Sequence, residues 1–264
     1  AKTLKDRDKE IRVRSLDALA QIDLKAATAQ AQKILSSNKI FDLQKAFATL
    51  GELKSPDVTQ FILNSLQTST AQPAAVHLDI IEAAKKQDNA QIVAALATYQ
   101  AGVDQSDPLA THAVTLEGGD INQGRFVFYN HGAAQCTRCH KGQRGRKGGI
   151  AGPDLWNVGS LHGRDYLLES LVKPNTHIAP GYGMVSVTLK DNTIAAGNLH
   201  QENSKQVIIA DITTGKKTSY SRERIKEITR PASTMPPMTG ILKKSEIRDV
   251  IAYLASLKDP KKKQ

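Results

Sequence analysis

Residues Cys136-Thr137-Arg138-Cys139-His140 hold the only two cysteines of a 264-residue chain. Two thiols three positions apart, with an imidazole directly behind them, must share one short turn, and the surrounding fold has to accommodate whatever that turn binds. C-x-x-C-H is the attachment signature of a c-type haem. The thiols can add across the haem vinyl groups, and the imidazole then lies under the ring, where it can ligate the iron. The same pair can also serve as a redox dithiol, as half of a zinc site, or as a disulfide. Zinc takes about four ligands, and the sequence has no second cysteine pair and no H-x-x-x-H cluster. A dithiol motif is expected near a βαβ pattern, which is not evident here. A disulfide across so short a loop gives little structural benefit.

The 40% hydrophobic content and the length suit one or two globular domains. No apolar run approaches the ~20 residues of a transmembrane helix. Ala1 is followed directly by a charged stretch, so no signal peptide opens the sequence. Covalent haem attachment normally takes place outside the cytoplasm. The expectation is therefore a mature exported protein, periplasmic or otherwise extracytoplasmic, or a fragment of a longer one.

Charge is unevenly spread. Residues 1–115 carry 13 basic and 13 acidic side chains, while residues 116–264 carry 23 and 13, so the whole net charge of +10 lies in the second part. A basic half can attract nucleic acid or an acidic protein partner. No recognition-helix or stacking-platform motif supports nucleic acid, so a protein partner is expected. Lys141, Arg144, Arg146 and Lys147 follow the cysteine motif and can form a positive rim or a solvated loop. Lys261-Lys262-Lys263 reads as a solvated tail.

Residues 1–100 show helical periodicity with short breaks. Six apolar stripes run through Ile11–Ile22, Ala27–Leu35, Phe41–Leu50, Val58–Leu66, Val76–Ala84 and Ile92–Leu96. Asp57 is a candidate N-cap of the fourth helix, and Pro73 opens the fifth. Helix pairs repeating at about 35–40 residues suggest an α-solenoid, and residues 8–19 resemble the second helix of a HEAT repeat. The first repeat lacks a partner helix, which suggests a chain that once extended further upstream. Residues 101–117 read as a linker rich in Gly, Asp, Ser and Pro.

In the second half, Ile121–Asn130 and Ser245–Leu257 are expected as helices. Gly124 and Phe128 lie one turn apart on the first; Ile247, Val250, Ile251, Leu254 and Leu257 form the stripe of the last, with Tyr253 beside it. Between them, alternation marks strands at 185–189, 193–199, 207–212 and 217–220, with turns at Asp191-Asn192 and Thr214-Gly215.

The order Gly124-x-x-x-Phe128, Cys136-x-x-Cys139-His140, Gly152-Pro153-Asp154-Leu155, Met235-Pro236 and Ile251-Ala252-Tyr253-Leu254 resembles a class I cytochrome c. Tyr166-Leu167-Leu168-Glu169-Ser170-Leu171-Val172-Lys173-Pro174-Asn175, followed by Ile178-Ala179-Pro180-Gly181-Tyr182, is similar to the planctomycete- and verrucomicrobium-type haem-binding domain. That family carries a β-rich insertion before its Met-Pro motif, and often follows HEAT-like repeats at the C-terminus of proteins with a sugar-dehydrogenase-like module. The resemblance covers residues 118–258 well and 1–100 loosely.

The fold expected is mainly α with a small β insertion: a HEAT-like α-solenoid over 1–100, the linker 101–117, and a cytochrome c fold over 118–258. A β-meander is inserted at about 183–230, and a basic tail fills 259–264. The resemblance implies one covalent haem c on Cys136 and Cys139, His140 as proximal iron ligand, and the Pro153 carbonyl as its hydrogen-bond acceptor. Met235 would be the sixth ligand, with Met238 three residues on as the alternative. Trp156 is expected near the pocket and Arg164 against a propionate. Among the other histidines, His77, His112, His162 and His200 are expected to be structural, and His131 and His177 are the best alternative ligands. The function implied is electron transfer rather than catalysis, relaying electrons from a dehydrogenase module or partner to another carrier. The alternatives are an open-site haem enzyme or sensor (peroxidase or gas binding), or a scaffold acting through the helical repeats.

Overall fold

The computed structural model describes residues 2–35, 39–145, 148–229 and 231–259. The chain is mainly helical with one five-stranded antiparallel sheet. Its internal packing divides it into two units, Ala1–Gly118 and Gly119–Gln264.

The first unit contains α1 (Lys9–Ile22), α2 (Leu24–Leu35), α3 (Ile40–Gly51), α4 (Pro56–Gln67), α5 (His77–Lys85) and α6 (Ala90–Ala101). Polar caps set their starts. Asp8 accepts from the Glu10 amide and Asn89 from those of Gln91 and Ile92. The fourth helix is capped by Ser55, which accepts from Val58, with Pro56 in the first turn. Asp57 thus lies inside that turn, where its charge favours the helix dipole. Pro73 precedes a 3-10 turn, Ala74–Val76, so α5 starts only at His77.

α1 packs on α3 and α3 on α5, while α2 packs on α4 and α4 on α6. The shared core includes Leu16, Leu43, Phe47, Leu50, Phe61, Ile62 and Ile80, with Phe47 and Phe61 stacked at 5.4 Å. Polar ties recur at similar sequence separations. Arg12 donates to both carboxylate oxygens of Asp42, 30 residues away, at 2.6 and 2.8 Å. Gln44 donates to the Ala75 carbonyl, 31 residues on; Thr49 bonds Asp17 across 32; Gln87 donates to the Gly51 carbonyl across 36. Residues 101–117 belong to this unit rather than forming an open connection. They contain α7 (Pro108–His112) and a 3-10 turn, Ala113–Thr115, whose last residue is fully buried.

The second unit is closed by α8 (Ile121–Asn130) crossing α12 (Lys244–Ser256). Asp120 caps α8 through the amides of Asn122 and Gln123, and its own amide donates to Asp249 at 2.8 Å. Glu246 accepts from the Lys243 amide at the start of α12. Gly124 makes the crossing possible: a Cβ there would stand 1.8 Å from the Asp249 carbonyl oxygen. Phe128, Tyr129 and Tyr253 form an aromatic cluster one turn along. The short helices α9 (Cys136–Cys139) and α10 (Val158–Leu161) precede α11 (Arg164–Val172), which buries Leu167, Leu168, Leu171 and Val172.

The sheet comprises β1 (Met184–Leu189), β2 (Ile194–Glu202), β3 (Gln206–Ala210), β4 (Lys217–Ser221) and β5 (Ile225–Ile228), in the order β4-β3-β2-β1-β5. The first four strands form the expected meander. β5 was not foreseen; it returns to pair with β1. Val185, Val187, Leu189, Val207 and Ile209 give the sheet its own core. Asn192 takes the left-handed conformation, φ 66°, in the β1–β2 turn. The first residue of β1 is also tied to the segment after β5. Met184 and Ala232 exchange both backbone hydrogen bonds, at 2.7 and 2.9 Å.

Candidate functional site

The cysteine turn is held from both sides. Upstream, the His131 Nδ1 accepts from the amides of Ala133 and Ala134 at 3.3 and 3.0 Å. Gln135 then adopts φ 44°, ψ 42°, a left-handed conformation uncommon for a residue with a side chain. Its amide donates to the His131 carbonyl and its side chain to that of Gly132, which fix it there. Downstream, the chain folds back so that Gly152 donates to the Cys139 carbonyl at 2.9 Å and Leu155 to that of Lys141 at 2.8 Å.

This return brings the Pro153 carbonyl to 2.8 Å from His140 Nδ1. A carbonyl only accepts, so Nδ1 carries the hydrogen and Nε2 of the neutral ring keeps its lone pair. Burial lowers the pKa of His140, partly opposed by the bond to Pro153; the balance favours the neutral, ligating form. Gly152 is required by contact: a Cβ there would lie 2.5 Å from His140 Cε1. Burial also pushes the Cys136 thiol up to about 11, with the neighbouring Cys139 adding to the shift.

Cys136, Cys139, His140 and Pro153 line one cavity of about 340 Å³, within the range of cofactor sites. Its wall is mostly apolar, with Phe128, Leu155, Leu167 and Leu171 from the helical part and Ile178, Met235 and Met238 from later in the chain. Met235 is half-buried, whereas Met238 is 3% exposed and its carbonyl accepts from Ile241 and Leu242. Among the described residues no three His, Cys, Asp or Glu side chains are gathered as an ion site. The thiol pair therefore lacks the donors of a zinc centre built from protein ligands alone.

Two expected residues are not among those lining the cavity. Trp156 is not among the lining residues, and its ring faces Arg144, whose Cζ is 5.2 Å from the centroid. Arg164, at the start of α11, also lies outside the lining. Arg146, Lys147 and Lys261–Lys263 fall outside the described residues. His77 and His112 bond backbone carbonyls and His200 bonds Lys217. His131 serves the turn and does not line the cavity. His162 and His177 do line it, stacked on either side of Tyr166 at 3.7 and 4.7 Å between centroids. Sequence reading missed this stack; the only signal was the i, i+4 spacing of His162 and Tyr166.

The chain matches no protein-family model and no curated protein. No helix among the described residues is long and apolar enough to cross a membrane.

Proposed function

We propose that the second unit is a monohaem c-type cytochrome domain that transfers electrons. Cys136 and Cys139 would hold the haem covalently, and His140 and Met235 would ligate its iron. The observation that carries this reading is one cavity wall combining two thiols on a single turn, an imidazole oriented through Nδ1, and a thioether from a distant loop. The bound haem would supply a one-electron iron couple. Pro153 fixes the ring of His140 and leaves Nε2 as the donor. Met235 is favoured over Met238 because Met238 is packed into the core and anchors the turn before α12. The apolar lining would exclude water and favour the less charged, reduced state.

On the same reading the closing of α8 on α12 is the first-and-last-helix crossing of a cytochrome c fold, with the sheet as its insertion. The recurring ties at separations of 30–36 residues support a HEAT-like solenoid for the first unit. The solenoid would act as a scaffold holding the cytochrome to its electron donor, a dehydrogenase module or redox protein, in an extracytoplasmic compartment. The basic excess of residues 116–264 suits an acidic partner.

Intact mass of the protein from a host that matures c-type cytochromes tests attachment directly: one haem adduct is expected, and a bare chain overturns the reading. Optical spectra test the sixth ligand. A weak far-red band of the ferric form should be present in the wild type and lost in Met235→Leu. A high-spin ferric spectrum with rapid carbon monoxide binding would instead establish an open iron site, as in an enzyme or gas sensor.

A further inference from the structure

The cavity has a feature at odds with the charge of its unit. Residues 116–264 carry 23 Lys and Arg, yet none lines the cavity among the described residues. A haem seated there brings two carboxylates. A carboxylate taken into an apolar site is strongly disfavoured unless it is paired or hydrogen-bonded. Apart from His140, which is committed to Pro153, the wall's groups able to become cationic are His162 and His177.

These two rings are built into position. His162 lies parallel to Tyr166, with 9° between ring planes, and Tyr166 lies 21° from His177. Glu169, one turn after Tyr166 on α11, accepts from His177 Nε2 at 2.7 Å. That bond orients the ring and leaves Nδ1 for another partner. The ring of His162 makes no hydrogen bond among the described residues, so both its nitrogens remain for a ligand.

Resting on the haem reading, we propose that His162 and His177 receive the haem carboxylates, and that proton uptake by this stack makes the redox potential fall as pH rises. Reduction adds one electron from an external one-electron donor and draws one proton from water onto an imidazole. Oxidation returns the electron to an external acceptor and the proton to water. The sign follows from charge: the oxidised centre carries one more positive charge, which disfavours a nearby imidazolium. Raising the pH therefore stabilises the oxidised form relative to the reduced.

The other titratable groups of the wall are the two cysteines, consumed by attachment, and His140, Asp154, Tyr166 and Tyr182. Glu169 touches His177, and Arg164 and Asp165 open the same helix. Asp154, whose Oδ1 accepts from the Trp156 amide, is the carboxylate to control for, with Asp154→Asn.

The test is a potentiometric titration from pH 5 to 8 of the full chain and of His162→Phe/His177→Phe, which keeps the stacked rings and removes their nitrogens. Intact mass and the far-red band are recorded on each sample. The expected result is a potential that falls with pH in the wild type and in Asp154→Asn, and a flat profile in the double variant with adduct and band retained. A flat wild-type profile, or an unchanged slope in the haem-loaded double variant, overturns the inference while leaving the haem reading intact. A wild type without adduct sinks the haem reading itself. Should the double variant not mature, His162→Gln/His177→Gln keeps hydrogen-bond donors without titrating, and the same flattening is required of it.

Discussion

The substitution Gly124→Ala separates tertiary packing from helix propensity, because the two act in opposite directions. In a helix interior alanine is favoured over glycine by about 1 kcal/mol. At this site the new Cβ would sit 1.8 Å from the Asp249 carbonyl oxygen and 2.9 Å from Tyr253 Cβ. A carbon–oxygen contact settles at about 3.3 Å, so α8 and α12 must part locally by roughly 1.5 Å. The obstacle is backbone, which no rotamer change can move aside. A gap of 0.5–1 Å already forfeits about a quarter to a half of each dispersion contact, and Phe128, Ile251 and Tyr253 all pack at or beside this crossing. Overpacking costs typically ~1–3 kcal/mol and more where backbone is hit. Set against the propensity gain, the net loss at the upper end of that range is about 2 kcal/mol. In a unit of this size that lowers the melting temperature by roughly 4–8 °C. Trp156 is the only tryptophan, so its emission during urea denaturation reports on the second unit alone. Gly132→Ala, where a Cβ meets nothing within 4 Å, is the control and should leave the midpoint unchanged within error. A Gly124→Ala midpoint at or above wild type would refute the close crossing.

In the first unit, Asp42→Asn should cost about 3 kcal/mol, because it strands the Arg12 guanidinium beside a neutral group in a largely buried pair; denaturation followed by far-UV circular dichroism measures it. Phe47→Ala, at a fully buried ring stacked on Phe61, should cost about 3–5 kcal/mol in the same assay. Before any adduct forms, the raised pKa of Cys136, about 11, keeps its thiolate scarce at pH 8. Its alkylation by iodoacetamide should be about 100-fold slower than that of a free thiol, whose pKa is about 8.5, and should accelerate as pH rises towards 11. Mass-mapped rates decide this, and equal rates at pH 8 would exclude the buried thiol. Gly152→Ala should displace the His140 ring and break its bond to Pro153, read as loss of the downfield Nδ1 proton resonance in the haem-free chain.

The long helices were legible because their apolar residues recur at helical spacing and their ends carry caps or glycine. α8 was read to its observed bounds, and α12 was displaced by one residue at each end. Alternation revealed β1 to β4, but β5 has only four residues with Lys226 and Glu227 at its centre, and it is a strand because β1 offers it an edge. The stretch 101–117 reads as a linker from composition, yet Thr115 is fully buried, and burial depends on neighbours distant in the sequence. The same limit applies to the site. Cys136, Cys139, His140 and Pro153 were visible as a local pattern, and their convergence with Met235 follows its order along the chain. Trp156 was assigned from its neighbours in sequence, and its contact with Arg144 had no signal there.

The bridge between Met184 and Ala232 has a consequence for how this chain can vary. It ties the start and finish of the sheet together three residues before Met235. Whatever lies between is held as a closed excursion, so its length scarcely alters where the methionine loop emerges, and lengthening such an excursion is thermodynamically cheap. The sheet is thus a cassette. It can grow, shrink or be exchanged for another fold element while the bridge keeps the two chain segments, and the methionine loop that follows, in place.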